Sequence, residues 1–405
     1  MFVQSCGKVS TSGQGLHRTT ALSQSRSLTA TSARSFKASD FVRPHILDLA
    51  PYKPIFPLEV ISDQLGIPVQ SIIKLDANEN PYGPPPEVFK VLANVEFPQI
   101  YPDPESRFLR AKLAAECGIP AENILVGCGA DELIDLILRV VLEPDDVVLN
   151  TPPTFGMYSF DCLVNGGKVV DIPRSDGPSF DIDVAAIRTA VLAHRAKVLF
   201  LTSPNNPDGT VIKPADLAEL LELPVLVVLD EAYIEFCEIQ ESRMRDVLKR
   251  ENLIVLRTFS KRAALAGLRV GYCAAPLWLM DYLWRVKQPY NVSIVAELAA
   301  CAALDNPKYL QDVKDMLIQE RQRLLSKLEE FDFLNPYASH SNFLLVKYVT
   351  WVDGDAEKLK DYLASKGIMV RYYSGPPQLA SCIRVSVGKP EHTDALVLAL
   401  STYVA

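Results

Sequence analysis

Two stretches decide the fold: Asp230-Glu231-Ala232-Tyr233 and, further along, Thr258-Phe259-Ser260-Lys261. Each closes a short apolar run, Pro224-Val225-Leu226-Val227-Val228-Leu229 before the first and Leu253-Ile254-Val255-Leu256 before the second. Runs of this length, rich in β-branched residues and without polar alternation, read as strands buried on both faces. Ligands of open parallel sheets sit at the carboxyl ends of the strands. Asp230 and Lys261 are therefore expected to face one crevice. A carboxylate and an amine meeting there suggest a Schiff-base lysine with an acid partner for a pyridinium nitrogen. An ordinary Asp–Lys ion pair at a sheet edge accounts for these two residues equally well.

Outward from this pair, the pattern repeats. Upstream, Val198-Leu199-Phe200-Leu201 runs into Ser203-Pro204-Asn205-Asn206-Pro207-Asp208-Gly209, and Val147-Val148-Leu149 precedes Pro152-Pro153-Thr154-Phe155-Gly156-Met157-Tyr158. Val169-Val170-Asp171-Ile172 is a further short strand. Asn123-Ile124-Leu125-Val126 leads into Gly127-Cys128-Gly129-Ala130-Asp131-Glu132, after which Leu133, Ile134, Leu136, Ile137 and Val140 have helical spacing. A glycine turn opening a helix presents backbone N–H groups that attract phosphate, although a plain strand-to-helix turn explains the same residues. Asp131 is a candidate cap for that helix. From Arg107 another helix is expected, with Phe108, Leu109, Leu113 and Ala114 on one face. Alternating strands and helices argue for a mainly parallel sheet in an α/β layer.

The stretch from Leu75 to Pro86, with Asp76-Ala77-Asn78-Glu79-Asn80-Pro81-Tyr82-Gly83 inside it, is a loop. Its four prolines and one glycine leave no room for a helix. Long loops of this kind tend to carry function. Beyond about residue 291 the character changes. Asn306-Pro307 opens a helix with Leu310, Val313, Leu317, Leu324 and Leu328 on one face. Strand-like Phe343-Leu344-Leu345-Val346, a helix near 356–366, Ile368-Met369-Val370-Arg371 and Cys382-Ile383-Arg384-Val385-Ser386-Val387 follow. This reads as a smaller α+β domain. The expected division is 1–39 as a disordered transit peptide and 40–75 as an N-terminal segment packing with the small domain. Residues 76–290 form the large domain and 291–405 the small one.

The first 39 residues hold fourteen Ser or Thr and five Lys or Arg, with no acidic residue before Asp40. That is the composition of an organelle transit peptide, leaning to chloroplast over mitochondrion. The remainder carries 36 Lys plus Arg against 49 Asp plus Glu, a net charge of −13. So acidic a body is a poor general partner for nucleic acid, and any anionic ligand needs a local basic cluster. No apolar run approaches a membrane span. The eight cysteines form neither a C-x-x-C pair nor a disulfide ladder, so no zinc or other metal site is expected. No Gly-x-Gly-x-x-Gly follows a strand, which disfavours a dinucleotide-dependent oxidoreductase.

Taken in order, these motifs resemble the fold-type I pyridoxal-phosphate enzymes over nearly all of residues 41–405. Within them, the chain is most similar to the histidinol-phosphate aminotransferase family in its plant-type, chloroplast branch. The motifs that carry the resemblance are the 76–83 loop, Gly129-Ala130-Asp131-Glu132, Ser203-Pro204-Asn205-Asn206-Pro207, Asp230-Glu231-Ala232-Tyr233, Ser260-Lys261 with Gly267-Leu268-Arg269, and Arg371 with Arg384. The resemblance implies a large domain with a mainly parallel sheet sandwiched by helices, plus the smaller α+β domain. It implies pyridoxal 5'-phosphate as cofactor, and L-histidinol phosphate with 2-oxoglutarate as the amine and 2-oxo-acid substrates.

It also implies roles. Lys261 carries the cofactor and moves the proton, and Asp230 keeps the pyridine nitrogen protonated. Tyr233 and Asn206 reach the ring's phenolic oxygen, and Phe155 stacks on the ring. Ala130 and Asp131 N–H groups, Ser260 and Arg269 hold the phosphate. Tyr101 reaches the cofactor phosphate of a neighbouring subunit, which implies a homodimer with shared sites. Tyr52, Asn206, Arg371 and Arg384 bind substrate. Arg262 and Asp208 depart from the commoner pattern, and the sequence gives Asp208 no physical account. An aromatic amino-acid aminotransferase and a pyridoxal-phosphate lyase are the competing readings on the same scaffold.

Overall fold

Alternate residues of the central runs feed two different cores, which is why the runs are apolar throughout. Val227, Leu229, Leu253 and Val255 belong to one buried cluster, and Val228, Ile254, Leu256 and Phe200 to another. Successive strand side chains point to opposite faces, so each face of the sheet has its own apolar layer. Leu253, Ile254, Val255 and Leu256 have no exposed surface. Burial of each such side chain is worth about 1.5–3 kcal/mol.

The computed structural model describes residues 37–51, 56–349 and 355–403 of the chain. It separates two units, Met1–Arg43 and Pro44–Ala405. In the first, the described residues make a single 3-10 turn, Ala38–Phe41. The transit-peptide reading falls almost wholly outside the described residues, as does Tyr52.

The second unit holds two sheets. Its strands begin with β1 (Ile73–Leu75), β2 (Ile124–Gly127), β3 (Val147–Asn150), β4 (Lys168–Asp171), β5 (Val198–Thr202) and β6 (Leu226–Asp230). They continue with β7 (Leu253–Thr258), β8 (Gly271–Ala274), β9 (Leu334–Pro336), β10 (Phe343–Tyr348), β11 (Ile368–Tyr372) and β12 (Cys382–Ser386). The larger sheet has the order β2-β8-β7-β6-β5-β3-β4. Its pairings from β7 through β6, β5 and β3 to β4 are all parallel, and only β8 runs against its neighbours β2 and β7. The smaller sheet has the order β1-β11-β12-β10-β9. It is antiparallel except that β1, from the N-terminal stretch, adds alongside β11 in parallel.

Helices follow the expected spacing with two corrections. The Pro307–Leu328 helix buries Leu310, Val313, Leu317, Leu324 and Leu328, the whole anticipated face. The Arg107–Cys117 helix buries Leu109 and Leu113, but Phe108 is turned outward, with the Lys112 ammonium 5.0 Å from its ring centre. One residue round the helix from the buried stripe is enough to reach solvent. The Gly129–Val141 helix is not capped by Asp131, which lies inside its first turn and makes no cap bond. The helix has no side-chain cap; Glu132 accepts the N–H of the N-cap residue Cys128 at 2.5 Å, and Asp131 pairs with Arg269.

Candidate active site

The carboxyl ends of β5, β6 and β7 converge on a cavity of about 140 Å³. Asp230 is the last residue of β6, and the register sets Thr202 of β5 beside it on one side and Leu256 of β7 on the other. Lys261 lies three residues past the end of β7. Both reach the cavity, with Ala130, Asp131, Phe155, Asn206, Tyr233, Ser260 and Arg269. These are all of the anticipated cofactor residues except Tyr101.

Burial decides the electrostatics. Desolvation raises the Asp230 carboxyl above its ordinary range, while hydrogen bonds from the Tyr158 hydroxyl and the Ala232 N–H pull it back down. Those bonds measure 2.7 and 2.9 Å. Desolvation also moves Lys261, whose ammonium falls to about 8; the nearby Arg384 guanidinium adds to the shift. A lysine so placed holds more free amine near neutral pH than an exposed one, which suits a nucleophile and a proton carrier. Its Nζ is 3.4 Å from the Ala77 carbonyl oxygen and 5.5 Å from the centre of the Tyr233 ring.

At the other end of the cavity, Arg269 reaches Asp131 at 2.9 Å. Gly129 has a φ of 78°, and a Cβ there would run into the Arg269 guanidinium. At Gly271 a Cβ would come within 2.7 Å of the Ala130 nitrogen. Both positions need glycine, so the helix start, Arg269 and β8 can close around one spot. The first N–H groups of a helix lack intrahelical partners, and Ser260 brings a hydroxyl to the same place, 2.9 Å from that of Thr258. Backbone donors, a hydroxyl and a guanidinium form a phosphate cradle. With the carboxylate and the lysine at the other end, the residues present fit pyridoxal phosphate.

The substrate residues are divided. Arg384 of β12 is buried; it donates to Asn206 Oδ1 and to the Asp76 carbonyl oxygen, each at 2.6 Å. Its Nε has no partner among the described residues. Arg371 of β11 is its cross-strand neighbour, so the two side chains leave the same face of the sheet. Both guanidinium carbons lie 6.0 Å from the Tyr373 ring centre. Arg371, however, lines a second cavity with Asp76, Ile61 and Met369 rather than the one around Lys261. Tyr101 also stands outside the Lys261 cavity; it is 76% exposed and stacked on Tyr290 at 4.5 Å.

Three contributors escaped the sequence reading. Tyr158 follows Phe155 by three residues, about one helical turn, and that spacing was the only signal for it. Thr202 is placed beside Asp230 by strand register alone. Asn78, at a φ of 55°, donates to the Tyr233 hydroxyl at 3.0 Å, and its own N–H donates to Ser386 of β12 at 2.8 Å. Asparagine tolerates that left-handed backbone. Asp208 now has an explanation. Fully buried, it accepts from the Thr210 N–H and hydroxyl and from the Asn205 side-chain amide. It folds the turn that presents Asn206. Arg262 points away from this chemistry and pairs with Glu116 at 2.6 Å.

The aminotransferase class I and II family model matches residues 70–400. The chain therefore belongs to that family, whose members use pyridoxal phosphate. Within it the chain falls among the histidinol-phosphate aminotransferases. It is 57% identical over 363 residues to the chloroplastic histidinol-phosphate aminotransferase of Nicotiana plumbaginifolia, covering 90% of this chain and 86% of that one. It is 56% identical over 381 residues to the chloroplastic histidinol-phosphate aminotransferase 1 of Arabidopsis thaliana, covering 94% and 90%. The crystal structure of histidinol-phosphate aminotransferase from Sinorhizobium meliloti with pyridoxal-5'-phosphate superposes with a TM-score of 0.81. That match has 29% identity and covers 90% of this chain and 97% of that one.

Proposed function

We propose that the chain is the transaminase of histidine biosynthesis that converts L-histidinol phosphate and 2-oxoglutarate into imidazole-acetol phosphate and L-glutamate. The observation that carries this reading is the Asp230–Lys261 pair at adjacent strand ends beside a phosphate cradle, in a chain more than half identical to relatives of that name. Bound pyridoxal phosphate supplies an electron sink for the substrate's Cα–H bond. Lys261 would hold the cofactor, and its free amine would take the proton from the substrate's Cα. Asp230 would balance the charge of a pyridinium nitrogen, and Phe155, lining the same cavity, would offer its ring to the cofactor. Tyr233 and Asn206 orient the ring's oxygen side, with Asn78 and Arg384 holding them in turn. Ala130, Asp131, Ser260 and Arg269 anchor the phosphate.

Arg371, Arg384 and Tyr52 recognise the substrate's anionic end. The 1–39 leader directs the chain to the chloroplast, as the names of its plant relatives suggest. The division at residues 76 and 291 belongs to the same reading and is supported by the two separate sheets. The chain works as a homodimer in which Tyr101 enters the partner's site; an aromatic ring 76% exposed on a single chain supports this.

The test is the half-reaction: the holoenzyme is mixed with histidinol phosphate, histidinol and phenylalanine, and the loss of cofactor–lysine absorbance is timed. Fastest decay with histidinol phosphate is expected. Faster decay with phenylalanine would replace this reading with the aromatic aminotransferase. For the shared site, a Tyr101 variant and Lys261→Ala are mixed under subunit exchange. Recovered activity is expected, and none despite exchange would oppose a shared site.

A further inference from the structure

We propose that Tyr158 is a positioning residue for the reaction: its hydroxyl keeps Asp230 ionised against burial and ties it to Thr202 at the end of β5. This rests on the reading of Asp230 as the partner of the ring nitrogen.

The geometry gives Tyr158 no other task for its hydroxyl. The side chain is fully buried on the Met157–Val164 helix. Its ring lies flat on Phe200 at 4.6 Å and meets the edge of Phe155 at 5.6 Å. Those contacts would serve a phenylalanine equally well. The hydroxyl alone makes the difference: it lies 2.7 Å from Asp230 Oδ2 and 2.8 Å from Thr202 Oγ1. An ionised carboxylate only accepts, so Tyr158 donates to Asp230 and takes the Thr202 proton in return. Thr202 Oγ1 also lies 3.2 Å from Thr154 Oγ1, but the single Thr154 proton goes to Asn205 Oδ1 at 2.9 Å, so the hydrogen-bond relay from Asp230 ends at Thr202. Asn205 is bound to Asp208, the organiser of the turn. The Tyr158 hydroxyl thus ties the carboxylate at the end of β6 to Thr202 at the end of β5.

The charged and titratable groups facing Asp230 are Tyr158, Lys261, Asp131 and Tyr233. Lys261 favours the carboxylate and Asp131 opposes it. Removing the Tyr158 donor therefore leaves burial less opposed and raises the carboxyl's pKa. A neutral Asp230 cannot hold a pyridinium. Loss of the hydroxyl should weaken cofactor binding most on the acid side and slow the chemical step more than substrate binding.

The test uses Tyr158→Phe, which keeps both ring contacts. Apo-enzyme is titrated with pyridoxal phosphate across pH, and kcat and KM are measured on the holoenzyme. A hydrogen bond to a charged group corresponds to about a tenfold to hundredfold effect. We expect the cofactor Kd to rise about tenfold, with the acid limb of the binding profile moved to higher pH. We expect kcat to fall by a similar factor while KM changes by less than about threefold. An unshifted binding profile would overturn the proposal even if activity fell. Should Tyr158→Phe fail to fold, Thr202→Val against Thr202→Ser decides. Valine must shift the profile the same way and serine must restore it; no difference between them overturns the proposal. Asp230→Ala separates the two failures. If it leaves the profile unchanged, the role of Asp230 is wrong. If it abolishes the limb and Tyr158→Phe does not move it, only the role of Tyr158 is wrong.

Discussion

The two ends of the site are built in different ways. The cofactor end comes from neighbouring strands of one sheet: Thr202, Asp230 and the segment after β7 are set side by side by parallel register. Thr202, Asp230 and Ser260 are buried and partnered within the large sheet's own loops, while the Arg269–Asp131 pair stays partly exposed. The substrate end is assembled across the molecule. In the proposed site, Arg384 comes from the smaller sheet and Asn206 from a loop of the larger one, while Arg371, on the same sheet face as Arg384, lines a neighbouring cavity. The Asp76–Asn80 loop is fastened to both, through Ser386 and Arg262. The first arrangement fixes what chemistry is possible. The second lets the identity of the substrate vary on a constant chemical base, because changing a few residues of a separate sheet leaves the strand ends intact.

Substitutions at the two ends should therefore differ in kind. Lys261→Ala should have the largest effect, lowering steady-state transamination by about 10³–10⁴-fold for every substrate. Cofactor should still be retained through the phosphate cradle, as seen by its absorbance after gel filtration. Substantial turnover without added amine would break the assignment. Arg384→Met joins the two ends, since it frees Asn206 and the Asp76 carbonyl together. It should cost about a hundredfold in kcat/KM for histidinol phosphate and about tenfold for histidinol, because Arg384 supports Asn206 for both substrates and the anionic end of only one. A loss confined to the phosphorylated substrate would move Arg384 wholly into substrate recognition.

A smaller effect concerns pH. On the proposed reading, free amine is the reactive form of Lys261, and burial lowers its ammonium from 10.5 to about 8. The rate at which apo-enzyme captures pyridoxal phosphate should therefore rise with pH and level off above about 8. The unfolded chain holds this proton to higher pH, so apo-enzyme should also gain stability as pH rises from about 8 towards 10.5. A capture rate still climbing steeply at pH 10 would contradict the placement of Lys261. Asp208→Asn should be the mildest change. It replaces an acceptor facing the Asn205 amide and the Thr210 donors, at a cost of about 1–3 kcal/mol in stability. A lower melting temperature with kcat within about threefold is expected; a large loss of kcat would make Asp208 part of the chemistry.

Sequence legibility follows the same division. Asp230 and Lys261 could be placed in one crevice because one closes an apolar run and the other stands a few residues past the end of the next, and parallel strands bring their ends together. The Gly129 turn and the buried stripe of Pro307–Leu328 were legible because both are local patterns. Tyr158, Thr202 and Asn78 were not, since each acts through a contact distant in sequence, 72 residues for Tyr158 to Asp230 and 155 for Asn78 to Tyr233. Asp131 was misread as a cap because the pattern of residue types cannot tell an N-cap from a first-turn acid competing for a guanidinium. The relation of Arg371 to Arg384 became clear only from their cross-strand pairing.

The claim that matters most is that the substrate end selects a phosphorylated amine, and Arg371 offers its most direct test. It shares a sheet face with Arg384, and among the described residues its guanidinium has no ion-pair partner. The measurement is kcat/KM for histidinol phosphate relative to histidinol, in the parent and in Arg371→Met. The parent ratio should be about 10² or more, and the variant should lose about tenfold or more of it while the histidinol value stays nearly constant. A parent that does not distinguish the two amines would contradict the account.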